Sequence, residues 1–398
     1  MKSILIISQN FYPEIGSAAN RIKNMAELFS KENKVSVLTV KPCYPNSVMY
    51  KKHSYKTNQY EVFQVTTFFK RYSSNLFFRL LFYLDVFIRL IIKAIILSKD
   101  KDIIIVTSPP IFVGLVGIFL KYIHRKKVVL DLRDLWPKTL EGIGRLNYKV
   151  ILRIAYFFEK KMYCSLDYIL INSMGFYDYL ISKGVDTNKI SYVPNSLTIN
   201  ELIDSRNNLE LNIKNDEILI VYIGNIGLAQ DLTKFLELAI RYRFYSNIQF
   251  KVIGHGLRKQ ELLNFIKRNH MKNVSVLKPC SRKEANSVLK QSTISFIGLN
   301  HNPVFEDVLP GKLIDSLGNG IPILADTSGI SAEIVSKAKA GLVIREIDVL
   351  MDPIIDSFIF DAHKRRLYSL NAYNYAKKFF NWQINFEILK KGIKANNE

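Results

Sequence analysis

Short, nearly uninterrupted runs of Ile, Val and Leu recur along the first half of the chain, many of them separated by stretches long enough for a helix. The runs Ser3–Ser8, Lys34–Val40, Asp102–Thr107, Lys127–Leu130, Asp167–Ile171 and Ile190–Val193 show little alternation of polar and apolar positions. That pattern predicts parallel strands covered on both faces. Strands alternating with helices predict an α/β sheet with right-handed crossovers. The series restarts near Glu217, with strands expected at Glu217–Ile223, Ile248–Ile253, Val274–Leu277, Thr293–Ile297, Ile321–Leu324 and Gly341–Ile344. Ile4–Asn10 and Ile218–Asn225 both run from a buried strand into a polar turn before a helix, a repetition of architecture rather than of a short motif. The polar stretch Asn195–Asp216 reads as the connection between two domains. Leu370–Lys391 reads as a helix packing through Tyr373, Ala376, Phe380 and Trp382. The expected division is 1–195, 196–370 and a terminal segment, 371–398.

Phe77–Leu97 stands apart. Arg79, Asp85, Arg89 and Lys93 interrupt an otherwise apolar stretch. At helical spacing they fall within a sector of roughly 120°, leaving a wide apolar face. A membrane-spanning helix needs about 20 predominantly apolar residues with few charges, and the uncharged runs here are much shorter. Two readings remain: a helix packed on its own sheet, or one docked on a membrane surface with help from Lys121, Arg125, Lys126 and Lys127.

Composition narrows the class. Of 398 residues, 48% are hydrophobic and 23% charged, which excludes a disordered or collagen-like chain. The formal charge of +21 favours anionic partners: nucleic acid, acidic lipid or phosphorylated small molecules. No nucleic-acid motif accompanies the charge, so nucleic acid is not an expected partner. Cys43, Cys164 and Cys280 are scattered and odd in number, suggesting neither a disulfide framework nor a zinc site and fitting a reducing cytoplasm. Met1–Ser8 runs directly into a strand-like segment without the pattern of a signal peptide.

Candidate chemistry lies in the turns after strands, where open α/β sheets bind ligands. Asn10–Arg21 contains Gly16 ahead of a helix whose N-terminus suits phosphate; an ordinary strand–helix turn is the other reading. No GxGxxG fingerprint is present. Asp131–Pro137 packs two carboxylates, a guanidinium and an indole into seven residues. Asp134 suits a sugar hydroxyl or an acceptor proton, and Arg133 a phosphate, unless the set is a structural Asp–Arg pair beside a core tryptophan. The loops around Asn225 and Gln230 and around Gly254–Lys259, with Arg258 and Lys259, suit a diphosphate or are plain turns. Asp307 and Asp315 flank Lys312, with Pro310 able to start a helix and Gly320 to stop it. Asp315 and Lys312 would then share one helical face, the acid for ribose hydroxyls and the lysine for phosphate, or form an exposed ion pair. Asp100-Lys-Asp102 reads as a solvated strand start rather than a metal motif.

The strings Phe11-Tyr-Pro-Glu-Ile-Gly16, Thr107-Ser-Pro-Pro110, Arg133-Asp-Leu-Trp-Pro137, Val193-Pro-Asn195, Gly224-Asn-Ile-Gly-Leu-Ala-Gln230, Pro310-Gly-Lys312 and Gly320-Ile-Pro322 carry a resemblance that extends over nearly the whole chain. With them the chain resembles the retaining family-4 glycosyltransferases of the GT-B fold, most of all the bacterial surface-polysaccharide branch that includes N-acetylfucosamine transferases. The resemblance implies two Rossmann-like domains facing across a cleft, with the last helix returning to the first domain. It implies transfer, with retention, of a sugar such as an N-acetylated deoxyhexosamine from a UDP-sugar to a polyprenyl-diphosphate-linked saccharide, in capsule or O-antigen synthesis. It implies no metal and no cofactor, and a cytoplasmic enzyme held peripherally on the anionic inner face of the plasma membrane. By the same resemblance Asp307 approaches the donor sugar, with neighbouring Glu306 as its alternative, and Asp315 holds the ribose. Relatives offer an Arg and a Lys where this chain has Asn225 and Gln230, which leaves Arg258, Lys259 and Lys312 for the diphosphate. Many relatives have a His where Arg133-Asp134 stands, so Asp134 is a candidate contact to sugar or acceptor. A nucleotide-sugar epimerase sharing the donor cleft is the rival reading.

Overall fold

The computed structural model describes residues 1–43, 47–50, 55, 57–69, 76–144, 148–206 and 217–395. It resolves into two compact units, Met1–Asn195 together with Ile384–Glu398, and Ser196–Gln383.

In the first unit, β1 (Ser3–Ser8), β2 (Lys34–Val40), β3 (Glu61–Val65), β4 (Ile103–Ser108), β5 (Lys127–Leu132), β6 (Tyr168–Ile171) and β7 (Ile190–Tyr192) form a sheet in the order β3-β2-β1-β4-β5-β6-β7. Every pairing is parallel. The order reverses between β1 and β4, creating the switch point at which such sheets bind ligands. The helices are α1 (Ser17–Ser30), α2 (Leu76–Leu97), α3 (Ile111–His124), α4 (Lys138–Gly142), α5 (Lys149–Ser165) and α6 (Tyr177–Ser182). Right-handed crossovers put α1 on one face of the sheet and α2, α3 and α5 on the other. There α3 packs against both of its neighbours.

Strand β3 was not foreseen. It is an edge strand with Glu61 and Gln64 exposed. A strand with a partner on one side only carries no continuous apolar run.

Helix α2 is apolar on two sides. Its inner ridge, Phe82, Val86, Leu90 and Ala94, is buried; each large side chain there contributes about 1.5–3 kcal/mol. The charges turn sideways onto neighbours. Asp85 accepts from the Arg89 Nε at 2.6 Å and the Phe68 amide at 2.5 Å, and the Lys93 ammonium lies 5.6 Å from the Phe63 ring centre. The Arg79 side chain lies outside the described residues. Along the outer ridge Leu80, Leu84, Ile88, Ile92 and Ile96 are 44–59% exposed. Among the described residues no helix is long and apolar enough to cross a membrane.

The second unit repeats the plan. β8 (Ile218–Asn225), β9 (Ile248–His255), β10 (Val274–Leu277), β11 (Ile294–Gly298), β12 (Ile323–Asp326) and β13 (Gly341–Val343) run in the order β10-β9-β8-β11-β12-β13, again all parallel. Its helices are α7 (Ile199–Arg206), α8 (Thr233–Arg241), α9 (Lys259–Arg268), α10 (Arg282–Gln291), α11 (Gly311–Gly318), α12 (Gly329–Lys337), α13 (Pro353–Phe360) and α14 (Ala362–Phe379). Phe235 of α8 meets Phe250 and Phe296 edge-on at 5.3 Å, tying helix to sheet.

Three sequence expectations need correction. The strand expected at Ile321–Leu324 lies two residues later, at Ile323–Asp326. The connection Asn195–Asp216 is structured at its start, since it contains α7; residues 207–216 lie outside the described residues. Leu370–Lys391 is not one helix. α14 ends at Phe379, and a further helix, α15 (Trp382–Ala395), begins after Phe380 and Asn381. The backbone groups freed there are satisfied by Leu197, whose amide donates to Phe380 at 2.8 Å and whose carbonyl accepts from Trp382 at 3.0 Å. Beyond the break α15 packs on the first unit, with the Phe386 and Phe29 rings 4.8 Å apart.

Candidate active site

The residues singled out in the second unit gather at the carboxyl edge of its sheet. Tyr222 and Gly224 belong to β8. α11, which follows β11, presents its N-terminus there, and Pro310 stands at its cap position. The Lys312 ammonium donates to the Tyr222 hydroxyl at 2.7 Å and sits 4.1 Å from that ring's centre. The hydroxyl in turn donates to the Asn225 carbonyl at 2.5 Å. Burial pushes the Lys312 amine down to about 7. Gly224 has φ +152°, and a Cβ there would lie 3.3 Å from the Lys312 Cε, so glycine lets the loop cross directly over the lysine. Sequence reasoning did not find Tyr222. Its only signal is a phenol inside a central apolar strand, whose hydroxyl needs a partner when buried.

Asp315 lies one turn along α11, but it does not pair with Lys312. Both of its oxygens accept from Arg282 of α10, at 2.8 and 3.1 Å. The Arg282 Nε donates to Glu201 of α7 at 2.8 Å, and Glu201 also accepts from the Thr198 amide and hydroxyl at 2.8 and 3.0 Å. Burial raises the Asp315 carboxyl and Arg282 opposes the rise. Arg282 was also missed. Ser281-x-x-Glu284 is a capping box that fixes it as the first residue of α10, yet nothing local announces its partners.

The other expected donor contacts are more dispersed. Arg258 pairs with Glu261 through two 2.9 Å bonds and reaches the Gln230 carbonyl at 3.4 Å. The Lys259 amine donates to the Gly254 and Leu277 carbonyls, each at 3.3 Å. The Gln230 side chain accepts from the Gly227 amide at 3.2 Å and shapes its own loop, whereas Asn225 is exposed. Beyond β11, the Ser328 hydroxyl donates to exposed Glu306 at 3.3 Å, and Asp307 is half-buried.

In the first unit the turn after β5 is held from within. Asp134 accepts from the Leu135 amide at 2.8 Å and the Thr139 hydroxyl at 2.6 Å. Burial pushes its carboxyl up, against these bonds, one from Trp136, and the charge of Arg133. Arg133 donates to the Pro109 carbonyl at 2.9 Å, joining the Arg-Asp-Leu-Trp-Pro string to the Thr-Ser-Pro-Pro string. Behind the turn lies an ion pair that the sequence did not reveal. Arg21 of α1 grips Asp131 at 2.7 and 2.9 Å, both residues almost wholly buried. Gly16 caps α1 with φ +139°. Gln9 beyond β1 and Asn172 beyond β6 each direct a buried amide oxygen without a hydrogen-bond partner among the described residues, at the same edge of the sheet.

A family model described as glycosyl transferases group 1 matches residues 204–369. The chain is 23% identical over 335 residues to the putative colanic acid biosynthesis glycosyl transferase WcaI of Escherichia coli, covering 80% of this chain and 81% of that one. In structure it is similar to sucrose-phosphate synthase of Thermosynechococcus elongatus (TM-score 0.73, 15% identity, 100% and 99% of the two chains covered). It is also similar to Anabaena HepE in complex with UDP and glucose (TM-score 0.69, 16% identity, 98% and 99% covered). Residues 204–369 thus match the group 1 glycosyl transferases, and the chain has the GT-B fold, with two parallel-sheet Rossmann-like units.

Proposed function

We propose that this enzyme transfers a sugar from a UDP-sugar, with retention, to a lipid-linked saccharide during surface-polysaccharide assembly. The observation that carries the reading is the Lys312–Tyr222–Gly224 arrangement at the N-terminus of α11. A buried amine, a close glycine backbone and the positive end of a helix suit a diphosphate leaving group, and electrostatic stabilisation of that group is the main task of the chemistry. Asp315, three residues on, is assigned to the ribose, and Asp307 or Glu306 to the donor sugar. Arg258 and Lys259 are second-rank diphosphate contacts, because Glu261 already counters the Arg258 charge and two backbone carbonyls hold the Lys259 amine, whereas Lys312 meets a neutral phenol. In the first unit the turn carrying Arg133 and Asp134, with Gln9 and Asn172 at the same sheet edge, is assigned to the acceptor, and Gly16 at the start of α1 to donor phosphate. The similarity to HepE, solved with UDP, supports the nucleotide, and the similarity to WcaI supports a polysaccharide product. A polyprenyl-diphosphate carrier and a capsule or O-antigen product are the finer form of this reading. The deciding experiment offers a panel of sugar nucleotides with and without bacterial membrane extract and reads the mass of extracted lipid. A sugar-sized mass gain that needs both components is expected. Donor epimerised without any acceptor would replace the reading with an epimerase.

The acceptor's carrier is a lipid in this proposal because of the outward faces of α2, α3 and α5. The apolar ridge of α2 is flanked on α3 by exposed Phe119, Tyr122 and Ile123, and on α5 by exposed Ile154 and Phe157. On α5 Lys149, Arg153, Lys160 and Lys161 are exposed, while its one acid, Glu159, is buried against Tyr163, Tyr179 and Lys183. Apolar rings and aliphatic side chains framed by cations match an anionic bilayer surface. The triple variant Leu84→Ser, Ile88→Ser, Ile92→Ser removes three side chains, each contributing about 1 kcal/mol at half exposure. Its co-sedimentation with phosphatidylglycerol vesicles is expected to fall roughly 100-fold, with unchanged circular dichroism. Equal binding by the variant and the parent would remove the membrane from the proposal.

A further inference from the structure

We infer that Arg282 is a specificity-determining positioning residue: it fixes the Asp315 carboxylate so that its two remaining acceptor sites meet the two vicinal hydroxyls of a nucleotide ribose. The inference rests on the assignment of Asp315 to ribose. An ionised carboxylate offers about four lone-pair directions. Arg282 uses one on each oxygen, at 2.8 and 3.1 Å, in a fork-to-fork pair. One direction per oxygen is left, matching two adjacent hydroxyl donors. An aspartate is one methylene shorter than a glutamate, so it reaches less far and depends more on being held at a set angle. The holding is built from a second element. Arg282 is anchored at its Nε by Glu201 at 2.8 Å, and Glu201 is itself fixed by the Thr198 amide and hydroxyl. Thr198 and Glu201 therefore fix the orientation of the Asp315 carboxylate through the guanidinium. The α10 capping box, with the Ser281 hydroxyl accepting from the Glu284 amide at 3.3 Å, sets where the arginine starts.

Arg282 touches no donor atom in this scheme, so its loss acts on recognition rather than on the transfer step. The test compares binding of UDP and 2′-deoxy-UDP by calorimetry to the parent protein, Asp315→Ala, Arg282→Lys and Arg282→Gln. The parent should prefer UDP by roughly 10- to 100-fold, the range of a hydrogen bond to a charged group. Asp315→Ala should bring the two affinities together. Arg282→Lys keeps the positive charge but cannot grip both oxygens, so it folds even if Arg282→Gln does not. It should lose most of the preference by weakening UDP while leaving 2′-deoxy-UDP unchanged, and donor KM should rise with kcat within about twofold. A full preference retained in Arg282→Lys, alongside its loss in Asp315→Ala, would overturn the inference while sparing the ribose assignment. A preference retained in Asp315→Ala would overturn both.

Discussion

Replacing Lys312 by alanine lowers kcat/KM about 10²- to 10³-fold, the usual effect of deleting one preorganised group that stabilises developing negative charge. The change should appear with donor saturating as well as scarce, because the charge on the departing diphosphate grows as the bond to the sugar breaks. The fold should survive, since the amine is held by a phenol and a ring face and has no counter-ion among the described residues whose loss would strand a charge. The pH dependence follows from the burial of the same amine. In the free enzyme it titrates near 7. A bound diphosphate favours the ammonium and raises that value, so binding takes up a proton at pH above about 7. Donor affinity is therefore greatest at or below neutrality and falls as pH rises from the free value towards the bound one. Calorimetry in buffers of different ionisation enthalpy reads the proton directly. No proton uptake at pH 8, or an alanine variant within threefold of the parent, would refute the diphosphate role.

Asp131→Ala is expected to be the most destabilising single change in the first unit. It removes the carboxylate that the buried Arg21 guanidinium grips, and Arg133, 3.9 Å from the same carboxylate, is a second positive charge nearby. Removing one member of a buried ion pair costs about 3–5 kcal/mol. Replacing both together, as Arg21→Met with Asp131→Leu, should restore part of the loss, because the Arg21 charge goes with the carboxylate and Arg133 keeps the charge of Asp134 nearby. Urea unfolding of the three proteins measures this. A single variant within about 1 kcal/mol of the parent would show that water or Arg133 rearranges to solvate the site.

Much of this was legible from local pattern. The central strands of both sheets announce themselves because burial on both faces demands continuous Ile and Val. The Pro310-Gly-Lys312 helix start and the turn at Arg133 follow strands at which the topology permits ligands. What escaped detection was non-local or half-wet. β3 lies at an edge, and its Glu61 and Gln64 break the apolar run that marks the central strands. The break at Phe380 depends on Leu197, far away in sequence. Asp315 finds Arg282 33 residues away and Arg21 finds Asp131 110 residues away. No window of sequence contains both partners of either pair. Arg21 did carry a faint signal: it lies among Ala19, Ile22, Met25 and Ala26, on the inward side of α1, where an unpaired charge would be intolerable.

The outer ridge of α2 runs for about 24 Å, one residue per turn from Leu80 to Ile96. In buffer without amphiphile, two such ridges from separate copies are each other's best available solvent. Particle size in dilute aqueous preparations should therefore track protein concentration and collapse to the monomer on adding a mild non-ionic detergent. An apparent dimer obtained without one reports the storage conditions rather than the enzyme's working assembly.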